Sequence, residues 1–297
     1  MAKKTVKQMT LSELRSRFAT ETHCRDYLVS RRWPDGVACP RCTNPAVYAL
    51  PSKAHHWQCH SCAPRGYRFS VLVGTIFENT NIPLTTWFEV IWMMMTAKKG
   101  ISALQVQRQL GIGSYRTAWS MCHRIRAGMA DESLRQLTGF VEIDEAYIGG
   151  KDEWKHHDKK GGGSRGGKGK MPVIGAVQRG GDVIARAIDK VDSRTLGEFM
   201  KEVLSHRVSL LSTDSSTRYP LFPNLKVGRV NHTKKQYVVG AIHTNTIEGF
   251  WSHFKRGVVG TFHKVTHKYL ALYVAEFCFR YNKRLNADIF GAAVAAV

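Results

Sequence analysis

Four cysteines constrain this chain more than any other feature. Cys39, Pro40, Arg41, Cys42 and then Cys59, His60, Ser61, Cys62 form two CxxC knuckles, separated by the sixteen residues from Thr43 to Gln58. Each knuckle sets two thiolates on one tight turn, and two turns brought together give the tetrahedral sulfur cage that structural Zn²⁺ prefers. A closed four-sulfur site leaves no position for water, so its task is to hold together a segment too small for its own core. His55, His56 and His60 are near enough in sequence to replace a thiolate, but histidines beside a knuckle are more often surface residues. The chain has seven cysteines, an odd number, and this spacing favours metal binding over disulfides. Cys24, Cys122 and Cys278 sit among apolar neighbours on expected helices and read as small buried hydrophobes.

The charge balance points to the partner. Lys and Arg number 44 against 23 Asp and Glu, a formal charge of +21, which repels itself unless a polyanion is the usual company. Nucleic acid is the natural candidate. Basic residues recur from Lys3 to Arg284 rather than in one tail, as expected for a phosphate track spread over several domains. Met1 to Thr10 is basic without the apolar core of a signal peptide, and the apolar run near Trp87 to Met95 is too short to cross a bilayer. The expectation is a cytoplasmic, nucleoid-associated protein with no membrane partner.

Beyond the cysteines the pattern turns helical. Leu84, Trp87, Phe88, Ile91, Trp92 and Met95 recur at steps of three and four, the mark of one apolar face. Ser102 with Gln105 reads as a capping-box start, Gly111 to Gly113 as a turn, and Ser114 as the opening of a second helix. In that helix Trp119, Cys122 and Ile125 are expected to face inward, leaving Tyr115, Arg116, Arg124 and Arg126 available to DNA. The alternative is a plain helical hairpin with solvated arginines.

After Thr138 a β-rich run, Phe140 to Ile148, is interrupted by Glu142, Asp144 and Glu145. An ionised carboxylate inside an apolar strand is tolerated best beside a cation, which singles out Asp144. Alternation puts Glu142 on the side of Asp144 and Glu145 on the other, and either glutamate can be read as solvated. Met171 to Gly180 and Asp182 to Asp189 read as a hairpin, Ser193 to Ser205 as a helix, and Val208 to Ser215 as a strand delivering Asp214 at its end. Glu248 falls in a helical stretch from Asn245 to Arg256, one turn after Asn245. Carboxylates converging from separate elements suit Mg²⁺ or Mn²⁺, and two such ions about 4 Å apart serve an in-line displacement at phosphorus. Lys255, seven residues past Glu248, could hold a phosphate near them.

These residues carry a resemblance. Phe140 to Gly150, Ser212 to Asp214, and His243 to His263 resemble the ISXO2-like, DDE-type insertion-sequence transposases with an amino-terminal zinc ribbon. The most specific part is Asn245, Thr246, Ile247, Glu248, Gly249, Phe250, Trp251, ending in Lys255 and Arg256. The resemblance implies an RNase H-like catalytic domain with Asp144 and Asp214 as the first two metal ligands. For the third it offers Asn245 and Glu248. The separation 248 − 214 = 34 and the lysine at 255 look like the usual DDE spacing and favour Glu248, with Asn245 as a second ligand or substrate contact. His263 resembles a recurrent histidine of the family and, with Arg256, is a DNA-contact candidate; a packed histidine is the other reading.

The expected architecture is multidomain α+β: a helical segment over 1–35, a zinc ribbon over 36–80, a helix-turn-helix-like domain over 81–135, and an RNase H-like mixed α/β catalytic domain over 138–297. Lys151 to Lys170, rich in Gly, Lys and His, reads as a mobile loop beside the active site. Ala292 to Val297 reads as a helix that stops abruptly, and family resemblance leads one to expect a little more chain. The expected function is a transposase acting on DNA element ends and target DNA, as a homo-oligomer once assembled there. A DNA-binding regulator derived from an inactive transposase, and a nuclease on the same fold, are the alternatives.

Overall fold

A computed structural model describes residues 6–62, 64–130, 136–149, 170–214, 219–220, 222, 225–230 and 238–296. Residues 151–169, nearly all of the expected loop, lie outside these. The chain divides into two units, one running to Met129 and resumed from Leu285, the other spanning Ala130–Arg284.

The first unit begins with α1 (Leu11–Arg17) and α2 (Glu21–Arg32). Thr10 and Glu13 close a complete capping box on α1, so two backbone donors at its start are satisfied locally. A three-stranded antiparallel sheet follows, β1 (Val47–Ala49), β2 (His56–Cys59) and β3 (Tyr67–Ser70), in that order. Its small core is Cys39, Cys59, Cys62 and Phe69, with Trp33, Trp57 and Tyr67 packed against it. The expected apolar helix is α3 (Leu84–Thr96), with Leu84, Trp87, Phe88 and Ile91 buried.

The expected helix, glycine turn and helix are α4 (Ala103–Leu110) and α5 (Tyr115–Gly128). Ser102 accepts from the Gln105 N–H, and Gly111 ends α4 in the left-handed region at φ 63°, which glycine adopts without a Cβ clash. The last helix of the chain, α9 (Ile289–Ala296), belongs to this unit and not to the catalytic region where the sequence reading places it. Its Phe290 joins Phe18, Tyr27 and Phe88 in an aromatic cluster with centroid separations of 4.9–6.2 Å, and Asp288 pairs with Arg31. An apolar stripe announces that a helix will be buried; it does not say against what.

The second unit is built on a five-stranded sheet. Its strands are β4 (Leu137–Ile148), β5 (Met171–Gln178), β6 (Val183–Ala187), β7 (Leu204–Asp214) and β8 (Val227–Val230), in the order β6-β5-β4-β7-β8. The first three pair antiparallel, and β4, β7 and β8 pair parallel. The two-residue strands β9 (Val238–Val239) and β10 (Ile242–His243) form a small hairpin.

Helices cover both faces. On one, α6 (Ser193–Val203) packs on Val141, Ile143, Ile174 and Ala176. On the other, α7 (Asn245–Gly257) and α8 (His267–Asn282) pack on Ala146, Ile148, Val173 and Val177. The period of two along β4 and β5 sorts these residues between faces. Gly175 permits a close approach on the α7 side: a Cβ there would lie 2.7 Å from the Trp251 ring. This is the mixed sheet that the RNase H-like expectation required.

Candidate metal centres and their acidic residues

The four thiols of the ribbon come together from the two knuckles, each offering a sulfur within 4.8 Å of the others. Cys39 Sγ lies 3.8 Å from Cys62 Sγ, and Cys42 Sγ lies 3.6 Å from Cys59 Sγ. Zn–S bonds of about 2.3 Å at the tetrahedral angle require sulfurs about 3.8 Å apart, so the cage fits zinc. Burial opposes ionisation of Cys39, but the backbone N–H groups of Arg41 and Cys42 and the neighbouring thiols outweigh it and bring that thiol down to about 7. Two of the three histidines have other partners: His55 Nε2 lies 2.7 Å from Asp26, and His56 Nδ1 lies 2.9 Å from the Ala54 carbonyl.

The acidic centre is set by the parallel pair β4 and β7. Their recorded ladder ends at Glu142 opposite Ser212, and two residues farther along each strand stand Asp144 and Asp214. Strand ends side by side are where ligands bind in open α/β sheets. The third acid gathered here is Glu145, with one carboxylate oxygen from each of Asp144, Glu145 and Asp214 within 4.8 Å of the others. Alternation assigns Glu145 to the far side of the strand, but beyond the last β7 pair a glutamate's two methylenes can bring its carboxylate back to the edge.

Glu248 stands in the first turn of α7, exposed, with its Oε1 accepting from the Thr244 hydroxyl at 2.7 Å. It is close enough to act on Asp144. Burial, then the charges of Glu145, Asp214 and Glu248, push the Asp144 carboxyl up to about 7. Like charges forced together in a half-buried site call for a cation, and an all-oxygen donor set suits Mg²⁺ or Mn²⁺.

Tyr219 is a neighbour that sequence reasoning missed. It is buried at 3% exposure, and burial followed by the charges of Glu145, Asp144 and Asp214 raises its phenol well above the usual value. A lone tyrosine in a polar stretch gives no signal.

Asn245 opens α7 exposed, and Lys255 and Arg256 are exposed near its end, Arg256 lying 3.3 Å from His253 Nδ1. His263 is exposed and takes φ 58° directly after a π-helical turn, Val258–Phe262. In α5, Tyr115 and Arg116 are exposed, whereas Arg124 is half-buried and Arg126 is buried. Arg126 is buried at 2% exposure, and Arg124 donates to the Glu78 carbonyl at 3.0 Å over the Trp87 ring. A helix buried on more than one stripe leaves fewer free arginines than its sequence suggests.

A zinc-ribbon fold and an RNase H-like sheet bearing clustered acids define the class of protein. Residues 136–282 match the ISXO2-like transposase domain, and residues 19–65 match the transposase zinc-ribbon domain. The chain thus carries both a transposase zinc-ribbon domain and an ISXO2-like transposase domain. It is 28% identical over 255 residues to the "uncharacterized protein in transposable element ISH50" of Halobacterium salinarum, covering 80% of this chain and 83% of that one. A chain of the simian T-cell lymphotropic virus intasome, in complex with the PP2A regulatory subunit B56 gamma, aligns at 13% identity with a TM-score of 0.28. That alignment covers 65% of each chain, just under two thirds of the other protein's length. Among the described residues no helix is long and apolar enough to cross a membrane.

Proposed function

We propose that this transposase binds the ends of an insertion sequence and catalyses DNA cleavage and strand transfer with Asp144, Asp214 and Glu248 as its metal-binding acids. The observation that carries the reading is the meeting of Asp144 and Asp214 just past the last pair of the parallel β4–β7 ladder, with Glu248 near enough to raise the Asp144 carboxyl. Water attacks the phosphodiester at the element's end and breaks its P–O3′ bond, leaving the phosphate on the flanking strand, and the freed 3′-hydroxyl then attacks a target phosphodiester and displaces a target 3′-hydroxyl. Divalent ions, when bound, supply Lewis-acid stabilisation of the attacking and leaving oxygens.

The protein's own residues do the rest. The acids set the position of the reacting phosphate, and Lys255, exposed on α7, neutralises charge developing on it. Asn245 completes the site as a second oxygen ligand or substrate contact. Arg116, Arg256 and His263 contact the DNA backbone, with the ribbon and α4–α5 holding the terminal repeat. A homo-oligomer assembled on DNA brings the two ends together.

The deciding assay is strand transfer of a labelled element end into plasmid DNA with Mg²⁺, comparing wild type with Asp214→Asn. Joined product from the wild type alone supports the reading. Cleavage without joining moves the protein to the nucleases, and end binding without cleavage by either protein moves it to the regulators.

A further inference from the structure

Glu142 is a fully buried carboxylate with no place in the chemistry proposed above, yet it is among the most heavily hydrogen-bonded groups in the second unit. Its Oε2 accepts from the backbone N–H of Thr246 at 2.8 Å and of Ile247 at 3.0 Å. Its Oε1 accepts from the Thr246 hydroxyl at 2.9 Å and from Arg179 Nε at 2.6 Å, and lies 3.1 Å from His243 Nδ1. A strand residue thus caps the first turn of a helix that begins about a hundred residues later in the chain.

The helix's own cap residue is used for something else. Thr244 makes no side-chain cap bond to α7, and its hydroxyl donates to Glu248 instead. The negative charge of Glu142 takes over at the positive end of the helix. Arg179 then ties the carboxylate to its surroundings, donating to the Ala241 carbonyl at 2.7 Å, the His243 carbonyl at 3.0 Å and, at 3.4 Å, the Ser212 hydroxyl.

The register of this network is what gives it meaning. Glu142 precedes Asp144 by two residues on β4, Ser212 precedes Asp214 by two on β7, and Thr246 precedes Glu248 by two on α7. One connected set of hydrogen bonds therefore reaches each of the three elements two residues before its acid.

We propose that Glu142 and Arg179 are positioning residues that fix the separation of Asp144, Asp214 and Glu248, and so set the affinity of the acidic centre for divalent ions. The inference rests on the reading of those three acids as the metal site. A side chain that only stabilised the fold would alter unfolding without altering ion affinity in the folded protein. A positioning residue alters affinity itself, by about 10- to 100-fold for partners that orient metal-binding groups.

The test is Mn²⁺ binding to the full-length, zinc-loaded protein, followed by electron paramagnetic resonance, for wild type, Asp144→Asn, Glu142→Gln, Thr246→Val and Thr244→Val. Glutamine keeps the shape of Glu142 but turns an N–H₂ toward donors. The expected result is a folded Glu142→Gln that binds Mn²⁺ at least about tenfold more weakly than wild type, with smaller losses in the two threonine variants. Wild-type affinity in folded Glu142→Gln, while Asp144→Asn has lost binding, overturns the inference and leaves the metal site standing. If Glu142→Gln does not fold, wild-type affinity in both threonine variants overturns it equally. If wild type binds no more Mn²⁺ than Asp144→Asn, the metal-site reading fails and this inference with it.

Discussion

Asp144 holds its proton up to about pH 7 because burial and three neighbouring carboxylates oppose its charge. The raised value has a definite sign. Between the ordinary aspartate value of 3.8 and about 7 the folded protein keeps a proton that the unfolded chain has lost. This group's contribution to stability therefore falls as pH rises through that window, and a bound cation removes the penalty. Mn²⁺ affinity, measured by titration calorimetry, should accordingly increase from about pH 6 to about pH 8, the window around the raised value. In Asp144→Asn the residual binding should lose that rise. A flat profile in the wild type would show that Asp144 does not compete with protons for the ion. Glu142 and Asp144, two residues apart on one face, show why residue type alone misleads: the first is neutralised by Arg179, and the second is crowded by acids. Sequence reasoning identifies both carboxylates but leaves Glu142 open to a solvated reading, because the arginine that neutralises it is 37 residues away.

At the scale of elements, α7 is held to the sheet by fit as much as by hydrogen bonds. Gly175 on β5 faces Trp251 and Ile247, and a methyl group at that position would meet the indole at 2.7–2.8 Å. Gly175→Ala should therefore displace α7 or the strand, with a loss of about 1–3 kcal/mol in urea unfolding, as overpacked cores show. The same shift should lower strand transfer, since α7 carries Glu248 and Lys255; a variant as stable and as active as wild type would refute the argument. The helices and strands themselves are legible in the sequence. Ile247, Trp251 and Phe254 announce α7 by period, and Gly111 announces the break between α4 and α5. Which arginines of α5 remain free is not legible, because Arg124 is engaged by Glu78 and Trp87, far away in the chain.

For the whole molecule, two properties follow from composition and cysteines. A charge of +21 predicts DNA binding dominated by phosphates, so affinity for an element end should fall about 10³-fold or more between about 50 and 200 mM salt. Affinity independent of salt in a filter-binding series would count against an extended phosphate track. The ribbon's core consists of its metal-binding cysteines and a few aromatic rings, so removing zinc should unfold it. Cys59→Ser is expected to release zinc, to expose Trp57 to solvent by fluorescence, and to weaken end binding while the second unit keeps its fold. Retained zinc in that variant would show that the four-sulfur site is misassigned.

The sequence by itself determined whatever depends on near neighbours or on sums. Two knuckles dictate a metal cage because each turn places its own thiols, the charge dictates a polyanionic partner, and periodicity dictates helices and strands. Asp144 stands out as a chemically costly residue within an apolar strand, and Asp214 as an acid at the end of another. Only the tertiary structure decided who meets whom. It gathered Glu145 with Asp144 and Asp214, buried Tyr219 beside them, tied Glu142 to Arg179 and the start of α7, and packed α9 into the first unit. Those contacts join residues tens to hundreds of positions apart, where no local spacing can encode a partner and packing alone makes the choice.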